Sequence, residues 1–222
     1  MDAYFEQQDS AGRIFLHRAS VLTALHENRL DPLLHKAICA FGALVIGDTD
    51  LGILSIRLSL EVEQSILSNL YTCTLPRLQA LTVLLHLLRA KSSREALWML
   101  LPIAARMAFT LRLNQEHVKD SLCERESRRR LMWSIHLLDT IISAGVDSLA
   151  VCPSNQIALR LPSNEYYFSL GMEAKTGYML AATSGSPESD MGELSYVVRL
   201  MSIRRDILRY VRSSSGVKLR SR

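Results

Sequence analysis

RESRRRLMWSIHLLDT, residues Arg125–Thr140, sets four arginines directly ahead of a tryptophan and a run of leucines and isoleucines. On a helix, Leu131, Ile135, Leu138 and Ile142 share one stripe, and Met132 widens it. Glu126 lies three residues before Arg129 and four before Arg130, the spacing at which side chains on neighbouring turns meet. Glu124 adds negative charge where a helix start favours it; the arginines at that end need partners of their own. A helix that reads DNA carries a denser basic face, followed by polar residues for base edges. Here the next turns are Leu, Met, Trp and Ile. The stretch is therefore read as the wet end of a buried helix, its arginines pairing with acids and stacking on aromatics such as Trp133. Direct DNA contact is the rival reading.

Working outward, helical spacing dominates, and the fold class expected is all-α, a multi-helix bundle. Asp31-Pro32 opens a helix carrying Leu34, Ala37, Ile38 and Phe41, and Gly47 ends it. Asp50–Leu70 alternates like a strand but is too long and lacks a partner, so a helix is preferred. Thr74 caps the next helix, with Leu78, Leu81, Leu85 and Leu88 inward. Ser92 and Glu95 have capping-box spacing, and Pro102 is expected to kink the helix that follows. Asn114–Cys123 is a charged loop and Gly145–Pro162 an extended irregular segment. Ala182–Gly192 has loop composition, and Glu193–Val211 is a last amphipathic helix.

The bulk numbers agree with a folded domain. The chain has 222 residues, 48% hydrophobic and 22% charged, with a net charge of +4. That permits an acidic partner without demanding one. The acidic start MDAYFEQQDS is unlike a secretory signal. The longest apolar run, Ala37–Gly47, falls short of the ~20 residues a membrane span needs. Cys39, Cys73, Cys123 and Cys152 form no C-x-x-C pair, so no zinc or redox motif is present, and a reducing compartment fits.

Catalytic motifs are missing. There is no H-E-x-x-H, G-x-S-x-G, Walker loop or G-x-G-x-x-G, and no catalytic, cofactor or metal residue is assigned. His86 is read as a satisfied interior group and His136 as a hydrogen-bonding substitute for tyrosine. Asp139 with Arg106 or Arg130 is read as an interior ion pair rather than a reacting pair. Met99, Met107, Met132 and Met201 are core by default and a pliable effector pocket in the alternative.

Three segments in order, Ala96–Asn114, Glu124–Asp139 and Ile157–Pro162, resemble the regulatory domain of fungal zinc-cluster transcription factors, also called the middle homology region. Trp98, Ala105, Arg106, Ala108, Leu111 and Leu113 match its first motif without a gap. Glu126, Arg129, Arg130, Leu131, Trp133, Ser134, Leu138 and Asp139 match its second. Upstream, Tyr4-Phe5, IFLHRAS at Ile14–Ser20, Leu34–Ala43 and Leu78–Leu87 resemble the family's opening helices. Departures are Pro102 and Arg112 for Gly, Asn114 for His, His136 for Tyr and Thr140 for Arg. A G-R-P is also missing, and VCPSNQ at Val151–Gln156 stands there, with a Cys-Pro like that of a minority branch bearing a two-cysteine, two-histidine finger pair.

The resemblance implies residues 1–168 as the domain core and 193–212 as its C-terminal helix, while composition makes 169–192 a flexible loop and 213–222 a disordered basic tail. It implies a nuclear transcription regulator, not an enzyme. Its partners would be protein co-regulators or a second copy, with a small-molecule effector as a further possibility and no membrane. DNA would be met only through a zinc module that these residues do not include, and no cofactor is expected here. Trp98, Arg106, Glu126, Arg129, Arg130, Trp133 and Asp139 are expected to hold the fold. The alternatives are a stand-alone helical sensor of an apolar metabolite, or a truncated gene product.

Overall fold

Helical periodicity is realised as α1 (Asp2–Glu6), α2 (Arg18–His26), α3 (Pro32–Ile46), α4 (Thr49–Ser68), α5 (Leu75–Ala90), α6 (Arg94–Thr110), α7 (Leu122–Ser143), α8 (Glu165–Leu170) and α9 (Glu193–Arg220). The computed structural model describes residues 1–6, 15–179 and 190–220, with side chains described through residue 213. Among these, β pairing is limited to isolated bridges, so the fold is an all-α bundle.

The centre is built from α5 and α7. Residues Ala80 to Leu88 of α5 are buried without interruption, and α7 is buried on every side from Arg129 to Thr140. A helix buried all round belongs in the middle of a bundle. α3 and α4 pack on α5 together, α6 bridges α5 and α7, and α9 lies along α7. Trp133, Phe15, Phe41, Ile38 and Ile66 fill the interior, all but fully buried.

Local signals act as the residues suggest in several places. The Asp31 carboxylate accepts from the Leu33 and Leu34 amides at 2.9 and 3.0 Å, and Gly47 closes α3 at φ +75°. The alternating Asp50–Leu70 pattern resolves into α4. Its inward face is Ser55, Ser59, Val62 and Ile66, while Ile53, Ile56, Leu60 and Leu67 face out. Small serines inward let α4 lie close to α3.

Other expectations need correction. The Ser92–Glu95 capping box does not form: Ser93 is the residue before α6 and makes no side-chain cap bond. Ser92 instead closes α5 in the left-handed conformation, φ +58°. Thr74 stands before α5 but makes no side-chain cap bond. The capping box lies at Ser121 and Glu124, where the Ser121 hydroxyl accepts from the Glu124 amide at 3.3 Å and the carboxylate accepts from the Ser121 amide at 3.2 Å. Pro102 lies within α6 at an exposed position, where water can take the carbonyl it leaves unpaired, and the helix continues through it. α1, α2 and α8 are helices too short for their periodicity to announce them. The expected loop at 169–192 falls partly outside the described residues, at 180–189. Its flanks are tied down by the Arg160–Tyr178 and Ser163–Met191 bridges. The backbone of α9 continues to Arg220, into the expected disordered tail, because extending an existing helix costs little and no proline intervenes. Residues 221–222 lie outside the described residues.

Candidate functional site

The capping box at Ser121 and Glu124 starts α7 so that its first turns present Glu126, Arg129 and Arg130 toward the segment leading to α8. Arg130 is fully buried. Its Nε donates to Glu126 Oε1 at 2.9 Å, one terminal nitrogen donates to the Ser163 carbonyl at 2.7 Å, and the other lies 3.6 Å from Glu165 Oε1. Its guanidinium carbon sits 4.2 Å from the Phe168 ring centre. Glu126 Oε1 also accepts from the Ser163 amide at 2.9 Å. Glu126 therefore meets both guanidinium groups within its reach, Arg129 and Arg130.

Arg129 grips Glu116 with two parallel bonds of 3.0 Å, the fork-to-fork geometry of an arginine and a carboxylate. Glu116 in turn accepts from the Arg160 amide at 3.1 Å. Arg128 reaches Asp120 at 2.7 Å. Arg125 is half-buried and pairs with no acid among the described residues. Three of the four arginines of the opening stretch are thus neutralised. The expected aromatic partner is corrected: Arg130 stacks on Phe168, and the Trp133 Nε1–H donates to the Arg160 carbonyl at 2.9 Å.

Farther along α7, the expected Asp139 ion pair is also corrected. Its two carboxylate oxygens accept from the Val151 and Cys152 amides at 3.0 and 2.9 Å. Arg106 is exposed on α6 and forms no ion pair among the described residues. His136 Nδ1–H donates to the Cys152 carbonyl at 2.8 Å, and burial pushes its pKa below the ordinary histidine range. Burial likewise raises the Cys152 thiol far above the usual range, so it is an inert hydrophobe.

The side chains of α7 therefore form a ladder against residues 151–163, running antiparallel. Asp139 and His136 hold Val151 and Cys152, Trp133 holds Arg160, and Arg130 holds Ser163. The ladder pairs each irregular backbone group with a buried donor or acceptor, which is what allows a loop to enter a core. Nothing in it presents a nucleophile beside a base. Among the described residues no group of three or more His, Cys, Asp or Glu is placed to hold a metal ion, and no helix is long and apolar enough to cross a membrane.

Sequence reasoning missed Glu116, Phe168 and the two amides that Asp139 binds. No local signal marks them, since each lies far along the chain from its partner. The capping box was visible as S-x-x-E at Ser121–Glu124. The methionines do not converge: Met107 and Met132 are core, Met99 is exposed and Met201 half-buried. Trp98 is 40% exposed, so it lies at the rim of the bundle rather than in its interior.

A family model described as the fungal specific transcription factor domain matches residues 1–213. A curated relative, the Zn(2)-C6 fungal-type transcription factor FTF1c of Fusarium oxysporum f. sp. lycopersici, is 27% identical over 231 residues, covering 95% of this chain and 24% of the relative. A second relative of the same name and organism is 27% identical over 234 residues, covering 91% of this chain and 24% of its own length. The chain thus spans about a quarter of the length of the curated relatives it matches. No solved structure matches.

Proposed function

The chain belongs to the fungal specific transcription factor domain family, and on that premise we propose that it is a regulatory domain that controls RNA polymerase II transcription in the nucleus without reading bases itself. One observation carries the second half: the basic run most suggestive of a DNA contact is engaged by Glu116, Glu126, Asp120 and the Ser163 carbonyl. A guanidinium already paired releases few counterions on meeting phosphate. The domain is not an enzyme and needs no cofactor of its own. Recognition of DNA is left to an element of the kind the relatives are named for, Zn(2)-C6, and the four cysteines of these residues form no set of that kind.

Fluorescence anisotropy of the purified chain with mixed-sequence duplex DNA tests the reading. The expected result is no sequence-selective binding at submicromolar concentration near physiological salt, and a shallow salt slope. Tight binding that falls steeply with salt and favours one sequence would overturn it.

A specific observation favours a second copy as the protein partner. Tyr196, Leu200, Ile203, Ile207 and Tyr210 recur at alternating spacings of four and three along the exposed side of α9. That is the spacing of a two-helix seam. Two copies of α9 laid antiparallel about a two-fold axis bring Leu200 to Ile203 and keep the apolar stripe continuous across the seam. Sedimentation equilibrium should show a dimer that Ile203→Glu dissociates. A monomer at high micromolar concentration removes this arrangement and leaves the regulatory reading in place.

A further inference from the structure

Leu88, Leu97, Trp98, Ile141 and Ile142 wall an open cleft of about 380 Å³ where the α5–α6 turn meets the end of α7. Its size is that of a small-molecule site. The polar part of the lining is Arg89, Ser92, Ser93 and Arg94, with two guanidinium groups and no carboxylate. Arg89 Nε is buried and has no hydrogen-bond partner. Arg89 and Arg94 pair with no acid among the described residues. The carbonyls at the end of α5 offset part of the Arg89 charge, but they leave the Nε–H unsatisfied.

Two further features converge on the same place. Ser92 holds φ +58° as its amide donates to the Arg89 carbonyl at 3.1 Å and the Ser93 amide donates to the Leu88 carbonyl at 2.9 Å. That is the helix ending at which glycine is customary, and a side chain there costs roughly 1–2 kcal/mol. Strain of this kind gathers at sites that use the residue. Trp98 keeps 40% of its surface exposed on the cleft wall, while Trp133 is wholly buried.

We propose that this cleft binds an amphiphilic carboxylate. Its apolar chain lies against Leu97, Trp98, Ile141 and Ile142, and its head group accepts from Arg89 and the serine side of the turn, with Arg94 adding charge at the mouth. An apolar wall gives affinity, and two guanidinium groups that meet no carboxylate in the lining give the preference for an anion over an alcohol of equal length. The control of transcription by such a ligand rests on the regulatory reading above. The binding itself does not, so a negative titration would leave that reading standing.

The test is titration of the full chain with decanoate, decanol and inorganic phosphate, followed by tryptophan emission. Decanoate should shift the emission, decanol should bind at least tenfold more weakly, and phosphate alone should do nothing. Trp98→Phe should abolish the signal, because the remaining Trp133 is out of reach. Arg89→Met should weaken decanoate at least tenfold and leave decanol unchanged. Arg94→Met, at an exposed position that the fold does not depend on, should weaken decanoate about threefold. Equal affinity for decanoate and decanol, a response that persists without Trp98, or no response at all overturns the proposal. So does self-association that shields Trp98 and resists decanoate, since a second copy would then occupy the cleft.

Discussion

The guanidinium carbon of Arg130 lies 4.2 Å from the centre of the Phe168 ring, although the two residues belong to helices joined by an irregular segment. The planar cation rests on the ring face while its edge is bonded to Glu126 and Ser163. Stacking and edge bonding together are something lysine cannot reproduce. The charge is thereby held inside the bundle with its face and its edge both engaged.

Arg130→Met should cost about 3–5 kcal/mol, because it leaves Glu126 buried with one fewer counter-charge. The companion variant Glu126→Gln/Arg130→Met should recover part of that loss. Urea denaturation of the two variants, the single Glu126→Gln chain and the parent measures it. A double variant as unstable as the sum of the singles would show that the two residues do not act as a pair.

Ser121→Ala removes the hydroxyl that accepts from the Glu124 amide and should destabilise by about 1 kcal/mol. Hydrogen bonding from Ser121 holds the Glu124 carboxyl below its usual pKa, so that contribution is present above about pH 4.3 and is lost as pH falls through the depressed folded value. The variant's acid unfolding should accordingly be less steep than that of the parent chain.

Burial is the main cause that lowers the His136 pKa; the Cys152 carbonyl and Asp139 oppose it and Arg205 adds to it. The folded chain therefore keeps the ring neutral where the unfolded chain takes a proton, near about pH 6.5. Stability from this group is complete above that pH and declines as pH falls toward the lower folded value. Denaturation midpoints at about pH 7.5 and about pH 5.5 should differ more for the parent than for His136→Gln.

Gly145 follows α7 at φ +84°, and a Cβ added there would stand 2.7 Å from Leu208 Cβ and 3.0 Å from the Arg209 amide nitrogen. Gly145→Ala should cost roughly 2–4 kcal/mol, combining left-handed strain with a clash against α9 backbone. The loss should be local. Hydrogen exchange should quicken in α9 before it quickens in α5. Equal protection of both helices in the variant would show that α9 is not seated through this turn.

Ser92→Gly relieves left-handed strain of roughly 1–2 kcal/mol but gives the unfolded chain about 0.4–1 kcal/mol more entropy. The net expectation is a small rise in stability, visible as a melting temperature a few degrees higher. A fall would mean that the serine hydroxyl contributes to the turn itself.

Sequence alone determined the helical class, the caps at Asp31 and Gly47, and the burial of α7, because periodicity and capping are read within a few residues of one another. It also placed Glu126 within reach of both Arg129 and Arg130, since helical spacing decides that. It did not show that Asp139 would hold two amides rather than a guanidinium, or that Phe168 rather than Trp133 would receive Arg130. Trp98, which its motif position suggested as a support of the fold, lies on the wall of an open cleft. Those outcomes depend on how residues 151–168 return across α7 and how the α5–α6 turn meets its far end. Such contacts join positions remote in the chain, and only the packing of the whole bundle brings them within bonding distance.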